Sequence, residues 1–153
     1  MKKFIGEHTV KIDDKERMVF PSPFKSLFDE GERLLFVIKK DLYANCLQMF
    51  TYDEWEKESE QVKARLNFFN EEHAKFWRDY MRNRAIVEPD GKLGRISIPK
   101  NLLQSVGIER ARGVREVVFA GNDHKIEIWA KEEYEAQAMP QSDFVSLAKK
   151  ILG

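Results

Sequence analysis

The feature that most constrains this chain is an internal repeat, because two copies of one small unit must share whatever core they build. The first copy reads HTVKIDDKERMVFPSPFKSLFDEG, then RLLFVIKK, then CLQMFTYDEWE. The second reads AIVEPDGKLGRISIPKNLLQSVG, then REVVFAG, then KIEIWAKEEYE. Arg17 answers Arg95, Met18 answers Ile96, Phe20 answers Ile98 and Pro21 answers Pro99. Further on, Leu47 and Met49 answer Ile126 and Ile128, and Trp55 answers Tyr134.

Each copy has the same local grammar. A short β-like run (9–12, 85–87) leads into a charged loop that ends at an arginine, where apolar and polar residues begin to alternate. A short helix follows. In the first copy Ser22 is the expected N-cap, with Pro23 at the first helical position and Gly31 closing the helix. In the second, Pro99 opens the helix and Gly107 ends it. Two hairpins complete the copies: 34–38 with 46–50, and 116–119 with 125–129, joined by loops 39–45 and 120–124. Asn122-Asp123 supplies favourable turn chemistry. Each unit is thus β-β-α-β-β, and a unit of this size buries too little surface to stand alone. The expected fold class is α+β.

Between the copies lies a helical insert. Thr51 and Glu54 have capping-box spacing. Trp55, Val62, Leu66, Phe69, Phe76 and Tyr80 then recur at helical intervals, with Asn67 and Asn70 placed to break the run into two helices. The apolar stripe either covers the β-rich unit or meets another subunit. A last helix is expected over 143–152, with Phe144, Val145, Leu147, Ala148 and Ile151 as its apolar residues. The expected division is a first repeat over 6–52, the insert over 53–84, a second repeat over 85–130 and a C-terminal helical segment over 131–153.

Charge excludes as much as it suggests. Lys and Arg number 26 and Asp and Glu 26, so any affinity for phosphate must come from a local basic face or from assembly. Cys46 is the only cysteine, which rules out an intramolecular disulfide and cysteine-rich zinc sites, and it reads as core packing. His8, His73 and His124 are scattered, with no metal-ligand spacing, and no cofactor is expected. No catalytic motif is present: no G-x-S-x-G, no H-E-x-x-H, no phosphate-cradling glycine loop, so an enzyme is not expected. The adjacent pairs Asp13-Asp14 and Glu132-Glu133 do not converge on one reacting atom. No apolar run reaches membrane-spanning length, and a cytoplasmic protein is expected.

The charged loops are the candidate site. Lys15 and Arg17 sit in one and Lys92 and Arg95 in the other. Lysine neutralises phosphate as a point charge, whereas the arginine fork matches guanine O6 and N7 in the major groove. An Asp four residues before an Arg is equally a loop-closing ion pair, and Asp13, Asp14 and Glu16 would repel phosphate. The cluster Arg110, Arg112 and Arg115, and the pair Lys2 and Lys3, are candidates for auxiliary phosphate contact or for plain solvation.

Two copies of strand, charged loop ending in Arg, strand, Pro and short helix resemble the AbrB-like swapped-hairpin barrel. Both copies in one chain, separated by a helical insert, resemble the MraZ family. The most specific pieces are GEHTVKIDDKER, GRISIP and IEIWAKEEYEAQ, within a likeness running from about Gly6 to Gln137. The family pattern is Asp-x-x-x-Arg, commonly with Gly before the Arg. The first loop keeps Asp13, Lys15 and Arg17 but has Glu16 where Gly is usual. The second keeps Gly94 and Arg95, with Gly91 at the Asp position and Asp90 one place early. The resemblance implies a pseudo-twofold swapped-hairpin barrel in which Asp13 and Gly94 structure the loops. It also implies a homo-oligomeric ring that binds double-stranded promoter DNA at repeated sites upstream of a cell-division and cell-wall gene cluster, associated with the nucleoid. The alternative on the same fold is an antitoxin or protein-binding regulator with weak DNA affinity.

Overall fold

The structure, a computed structural model, describes residues 2–153. The first repeat supplies β1 (Glu7–Lys11), β2 (Arg17–Val19), α1 (Ser22–Lys25), β3 (Phe36–Lys40) and β4 (Leu47–Thr51). The insert is α2 (Tyr52–Ala64) and α3 (Glu71–Met81). The second repeat supplies β5 (Ala85–Val87), β6 (Arg95–Ser97), α4 (Lys100–Ser105), a 3₁₀ turn (Arg110–Arg112), β7 (Glu116–Asn122) and β8 (Lys125–Ala130). α5 (Lys131–Ala136) and α6 (Gln141–Leu152) end the chain.

The strands form an antiparallel six-stranded sheet in the order β1-β7-β8-β4-β3-β5 and a separate two-stranded ribbon, β2-β6. Only β3-β4 and β7-β8 pair within a repeat; β1-β7, β5-β3, β4-β8 and β2-β6 all join one repeat to the other. The register is two-fold symmetric. Met18 faces Ile96 at the centre of the ribbon, and Gln48 faces Glu127 at the centre of β4-β8. The hydrogen-bonded ladders do not close into a barrel, because β1 and β5 remain the outer strands of the sheet. Ribbon and sheet nevertheless share one core. Met18 and Ile96 from the ribbon pack with Phe36, Ile38, Leu47, Met49, Phe119, Ile126 and Ile128 from the sheet. Period-two alternation explains the placement: Met18 points inward and is buried, while Val19 on the opposite face is exposed.

Several local expectations shift. Pro21, not Ser22, is the N-cap of α1, and no side chain caps this helix. Gly31 does not close it, since α1 stops at Lys25 and Gly31 sits farther on, with φ 82°. The second copy behaves as expected. Pro99 precedes α4, and Gly107 at φ 75° ends it in a Schellman turn, with Ile108 N–H donating to Leu103 O (2.9 Å) and Gly107 N–H to Gln104 O (3.1 Å). The loop expected over 120–124 is shorter, because β7 runs on to Asn122 and pairs with Lys125 across a two-residue turn. Asp123 takes φ 63° there, which Asp tolerates better than most residues. Gly121 is required by contact: a Cβ would lie 2.4 Å from the Phe4 carbonyl oxygen of the N-terminal segment.

The insert splits where expected. Thr51 Oγ1 accepts the Glu54 N–H (3.3 Å), and Asn70 Oδ1 accepts those of Glu72 (2.9 Å) and His73 (3.3 Å) at the start of α3. Its apolar stripe divides in two. Tyr80 is buried and Trp55, Val62 and Leu66 are half-buried, whereas Phe69 is fully exposed and Phe76 is 43% exposed. What fastens the insert is a group the sequence did not reveal. Lys39 of β3 is 3% exposed and pairs with Glu58 of α2 at 2.6 Å, with its ammonium over the rings of Tyr80 and Phe50. Tyr80 Oη donates to the same Glu58 carboxylate (3.2 Å). Helix α6 forms, but Phe144, Val145, Leu147, Ile151 and Leu152 stay exposed. No helix among the described residues is long and apolar enough to cross a membrane.

Candidate nucleic-acid interface

The ribbon β2-β6 positions the candidate residues. Its inward face is Met18 and Ile96; its outward face is Arg17, Val19, Arg95 and Ser97. Arg17 pairs in register with Ser97 and Arg95 with Val19, so the two arginines sit diagonally across the dyad. Diagonal neighbours on such a ribbon are about 7–8 Å apart. The antiparallel register puts the two charged loops at opposite ends of the ribbon, with Lys15 exposed at one end and Lys92 at the other. The arginines therefore lie on the strands themselves, and the lysines on the loops that flank them.

The first loop is tightly organised. Asp13 N–H donates to Arg17 O (2.9 Å), and Glu16 N–H to Asp13 O (3.0 Å). Asp13 Oδ1 accepts the N–H groups of Lys15 (2.9 Å) and Arg17 (2.8 Å), while Oδ2 accepts Arg17 Nε–H (3.0 Å). The bond from the Arg17 amide, with help from the Lys15 amide and the Arg17 side chain, holds the Asp13 carboxyl below the usual 3.8 despite some desolvation. Glu16 takes φ 60°, and Gly94 in the second loop takes φ 67°. The backbone thus demands a left-handed residue before each arginine, and only the second loop supplies glycine.

The second loop is one residue longer. Asp90 and Arg95 close it by exchanging both backbone hydrogen bonds at 2.8 Å, whereas in the first loop Asp13 N–H donates to Arg17 O and the Arg17 N–H turns to the Asp13 side chain. By this pairing Asp90, not Gly91, stands where Asp13 stands. Its carboxylate, however, accepts the Gly91 N–H (2.9 Å) and not the arginine. Arg95 instead has its Nε 3.8 Å from Oδ2 of Asp13, in the other repeat. Lys25, which sequence reasoning passed over, also faces this loop: its Nζ lies 3.7 Å from where a Gly94 Cβ would stand. No local pattern flags it, since the approach comes from tertiary packing.

The other basic candidates are more committed. Lys2 pairs with Glu32 (2.6 Å), Lys3 with Asp123 (3.7 Å) and Arg112 with Glu109 (2.9 Å). Arg115 is exposed. Asp41, Cys46 and Glu127 bring three possible ligand atoms within 4.8 Å, but their chemistry fits a metal poorly. Asp41 accepts from Tyr43, Ala44 and Gln48, and Glu127 accepts from Asn122 and Trp129. Burial pushes the Cys46 thiol up to about 12, far from the thiolate a metal would need.

The family model described as "MraZ protein, putative antitoxin-like" matches residues 3–79 and 81–150. The "Transcriptional regulator MraZ" of Bacteroides fragilis is 34% identical over 152 residues, covering 99% of this chain and 92% of that protein. The protein of the same name from Bacteroides thetaiotaomicron is 33% identical over 99% of this chain and 94% of its own length. A third, from Lachnoclostridium phytofermentans, is 34% identical over 94% of this chain and 92% of its own length. With two matched repeats that together span nearly the whole sequence, the chain belongs to the MraZ family.

Proposed function

We propose that this chain is a sequence-specific DNA-binding transcriptional regulator, not an enzyme, that reads double-stranded promoter DNA through the outward face of the β2-β6 ribbon. The observation that carries this is the diagonal pair Arg17 and Arg95 on one ribbon face, flanked by Lys15 and Lys92 on the loops at its two ends. A two-stranded ribbon fits the major groove, arginine forks match guanine, and flanking lysines meet phosphate. A spacing of about 7–8 Å between the arginines spans roughly two base steps. Asp13 and Gly94 shape the loops; the two repeats act together as a swapped-hairpin unit with the insert at 53–84 and the C-terminal segment at 131–153 as appendages.

The reading extends to assembly and target. A neutral chain with acidic residues beside its basic ones binds DNA weakly through one subunit. Several subunits in a homo-oligomeric ring, each on a successive repeat of the promoter, multiply weak contacts through high effective concentration. Exposed Phe69 and Phe76 of the insert, and the apolar face of α6, offer surface for such assembly. The relatives are named transcriptional regulators; the resemblance alone implies a bacterial cell-division and cell-wall gene cluster as the target, and so a nucleoid-associated cytoplasmic protein. The test is a gel-shift titration with promoter fragments carrying one repeat or several. The multi-repeat fragment should bind far more tightly. With roughly two phosphates neutralised per subunit, four subunits give a log–log salt slope of about −7. Equal affinity for both fragments sinks the reading. It would promote the antitoxin-like or protein-binding alternative, which the same exposed helical faces favour.

A further inference from the structure

The two loops are built alike but not supplied alike. Loop one has its own carboxylate on its own arginine. Loop two spends Asp90 on the Gly91 amide and has no side chain at position 91. Among the described residues, Asp13 is the one carboxylate within 4.0 Å of the Arg95 guanidinium. Both arginines approach the same oxygen, Asp13 Oδ2, with the same nitrogen, Nε: Arg17 at 3.0 Å as a hydrogen bond and Arg95 at 3.8 Å as an ion pair. Asp13 is itself fixed, because its Oδ1 accepts two backbone amides. All three side chains are about one-third exposed, so the array is open to a ligand yet partly shielded from bulk water.

We propose, resting on the DNA-reading assignment above, that Asp13 is a shared positioning residue: its Oδ2 orients the guanidinium groups of both arginines, so that one residue of the first repeat sets the sequence selectivity of both loops. A guanidinium held through Nε keeps its two terminal nitrogens free, and these are the fork that meets guanine O6 and N7. The carboxylate also cancels one of the two positive charges on the ribbon face. It therefore weakens attraction to phosphate while fixing the forks, which exchanges general affinity for selectivity.

The test compares Asp13→Asn with Asp14→Asn. Asn keeps an oxygen for the Lys15 and Arg17 amides but presents no charge to the guanidinium groups. Asp14 is exposed and serves as a neighbouring charge control. Sites are selected from randomised duplex DNA, and affinities for selected and scrambled duplexes are measured. Asp13→Asn should keep or raise affinity for scrambled DNA while the selectivity ratio falls about tenfold or more. Asp14→Asn should leave that ratio unchanged. A merely structural role for Asp13 would lower both affinities together. In the DNA-free protein, the Nε–Hε resonances of Arg17 and of Arg95 should both move in Asp13→Asn. In the unaltered protein both should follow one carboxyl titration on acidification, a readout that survives if the variant fails to fold. Unchanged selectivity, or an Arg95 resonance indifferent to Asp13, overturns the proposal. Failure of the unaltered protein to bind any selected duplex sinks the DNA assignment instead, and the NMR readout then reports separately on the shared carboxylate.

Discussion

The two repeats follow the same order of strand, strand, helix, strand, strand with different materials. The first fills its half of the core with rings. Phe4 meets Phe24 edge-on at 5.4 Å, Phe20 lies 5.1 Å from Phe36, and Phe28 lies 5.6 Å from Phe36. Counting from the arginines, Phe20, Phe24 and Phe28 answer Ile98, Leu102 and Val106 in the second repeat. Counting from the strand ladders, Phe36 opposite Thr51 answers Val117 opposite Ala130. The symmetry therefore resides in where apolar side chains point, not in which ones they are. On the surface the bias persists: the first loop owns the carboxylate that touches both arginines, and the second owns the glycine its backbone requires.

The largest expected effect falls where the repeats act together. Replacing both Arg17 and Arg95 with Ala should cost about 2–6 kcal/mol of selective binding per engaged subunit, summing two bidentate contacts. The cost repeats in every subunit of an assembly. Arg17→Ala alone should weaken binding at least as much as Arg95→Ala, since Asp13 holds Arg17 by a full hydrogen bond. Quantitative gel-shift on the single and double variants, with melting curves to confirm the fold, checks this. Wild-type affinity in the folded double variant would remove the ribbon from the DNA-binding account.

Next in size is the core. Phe24→Ala removes a ring that is 1% exposed and that touches Phe4, Phe20 and His8. It should cost about 3–5 kcal/mol by urea unfolding. Leu102→Ala at the answering position should cost less, about 2–3 kcal/mol, because fewer contacts are lost. Equal costs would show that the aromatic half of the core is no more tightly built than the aliphatic half.

Much of this was legible in the sequence because it is local. The strands, both proline-led helices and the split of the insert at Asn67 and Asn70 follow from periodicity and capping within a few residues. Boundaries slipped where two signals competed. Ser22 looked like a cap because Ser usually is one, but Pro21 already fixes the entry to α1. Asp90 looked displaced because fixed spacing cannot register a loop one residue longer. The interactions that could not be read are long-range. Arg95 meets Asp13 from more than eighty positions away, and Lys39, which reads as the first residue of the hairpin loop 39–45, lies instead within β3 and is buried where α2 brings Glu58 over it.

That buried pair gives the third comparison, since Ala120 occupies in β7 the place of Lys39 in β3. Burial draws the Lys39 amine below its usual 10.5, with Glu58 acting against this. Glu58→Gln removes the counter-charge and should destabilise the protein by about 1–3 kcal/mol, less than for a fully buried pair because Glu58 is itself partly exposed. The folded state binds the Lys39 proton less tightly than the unfolded chain. The penalty is therefore full below the depressed value and is relieved as pH rises toward 10.5. Tyr80 acts the other way in the same range. Burial first, and then Glu58, raise its phenol to about 12, so its contribution is present up to the ordinary value of 10.0 and is lost as pH rises through about 12. Replacing Lys39 with Met, which removes the amine, should take that relief out of the alkaline unfolding curves and leave the losses from Tyr80 and from the Cys46 thiol, which is also raised to about 12. An unchanged alkaline profile would show that Lys39 is better solvated than its position implies.

The smallest expected effect isolates backbone from side chain at the two loops. Glu16 and Gly94 precede their arginines with φ 60° and φ 67°, so both positions ask for a left-handed residue. An L side chain there costs roughly 1–2 kcal/mol, part of which glycine gives back through the entropy of the unfolded chain. Glu16→Gly should therefore stabilise the protein by about 0.5–1 kcal/mol, and should also remove a negative charge beside Lys15 and Arg17. Gly94→Ala should destabilise it by about 1 kcal/mol through strain alone, because a Cβ would meet its nearest neighbours, Pro89 and Lys25, at ordinary van der Waals distances of 3.6 and 3.7 Å. Thermal melts of the two variants thus should move in opposite directions. DNA affinity should separate them further, since only Glu16→Gly changes the charge of the ribbon face and should tighten binding to any duplex. If both melts fall, Glu16 contributes something in the folded loop that offsets its strain, and the first loop is then specialised beyond the possession of Asp13.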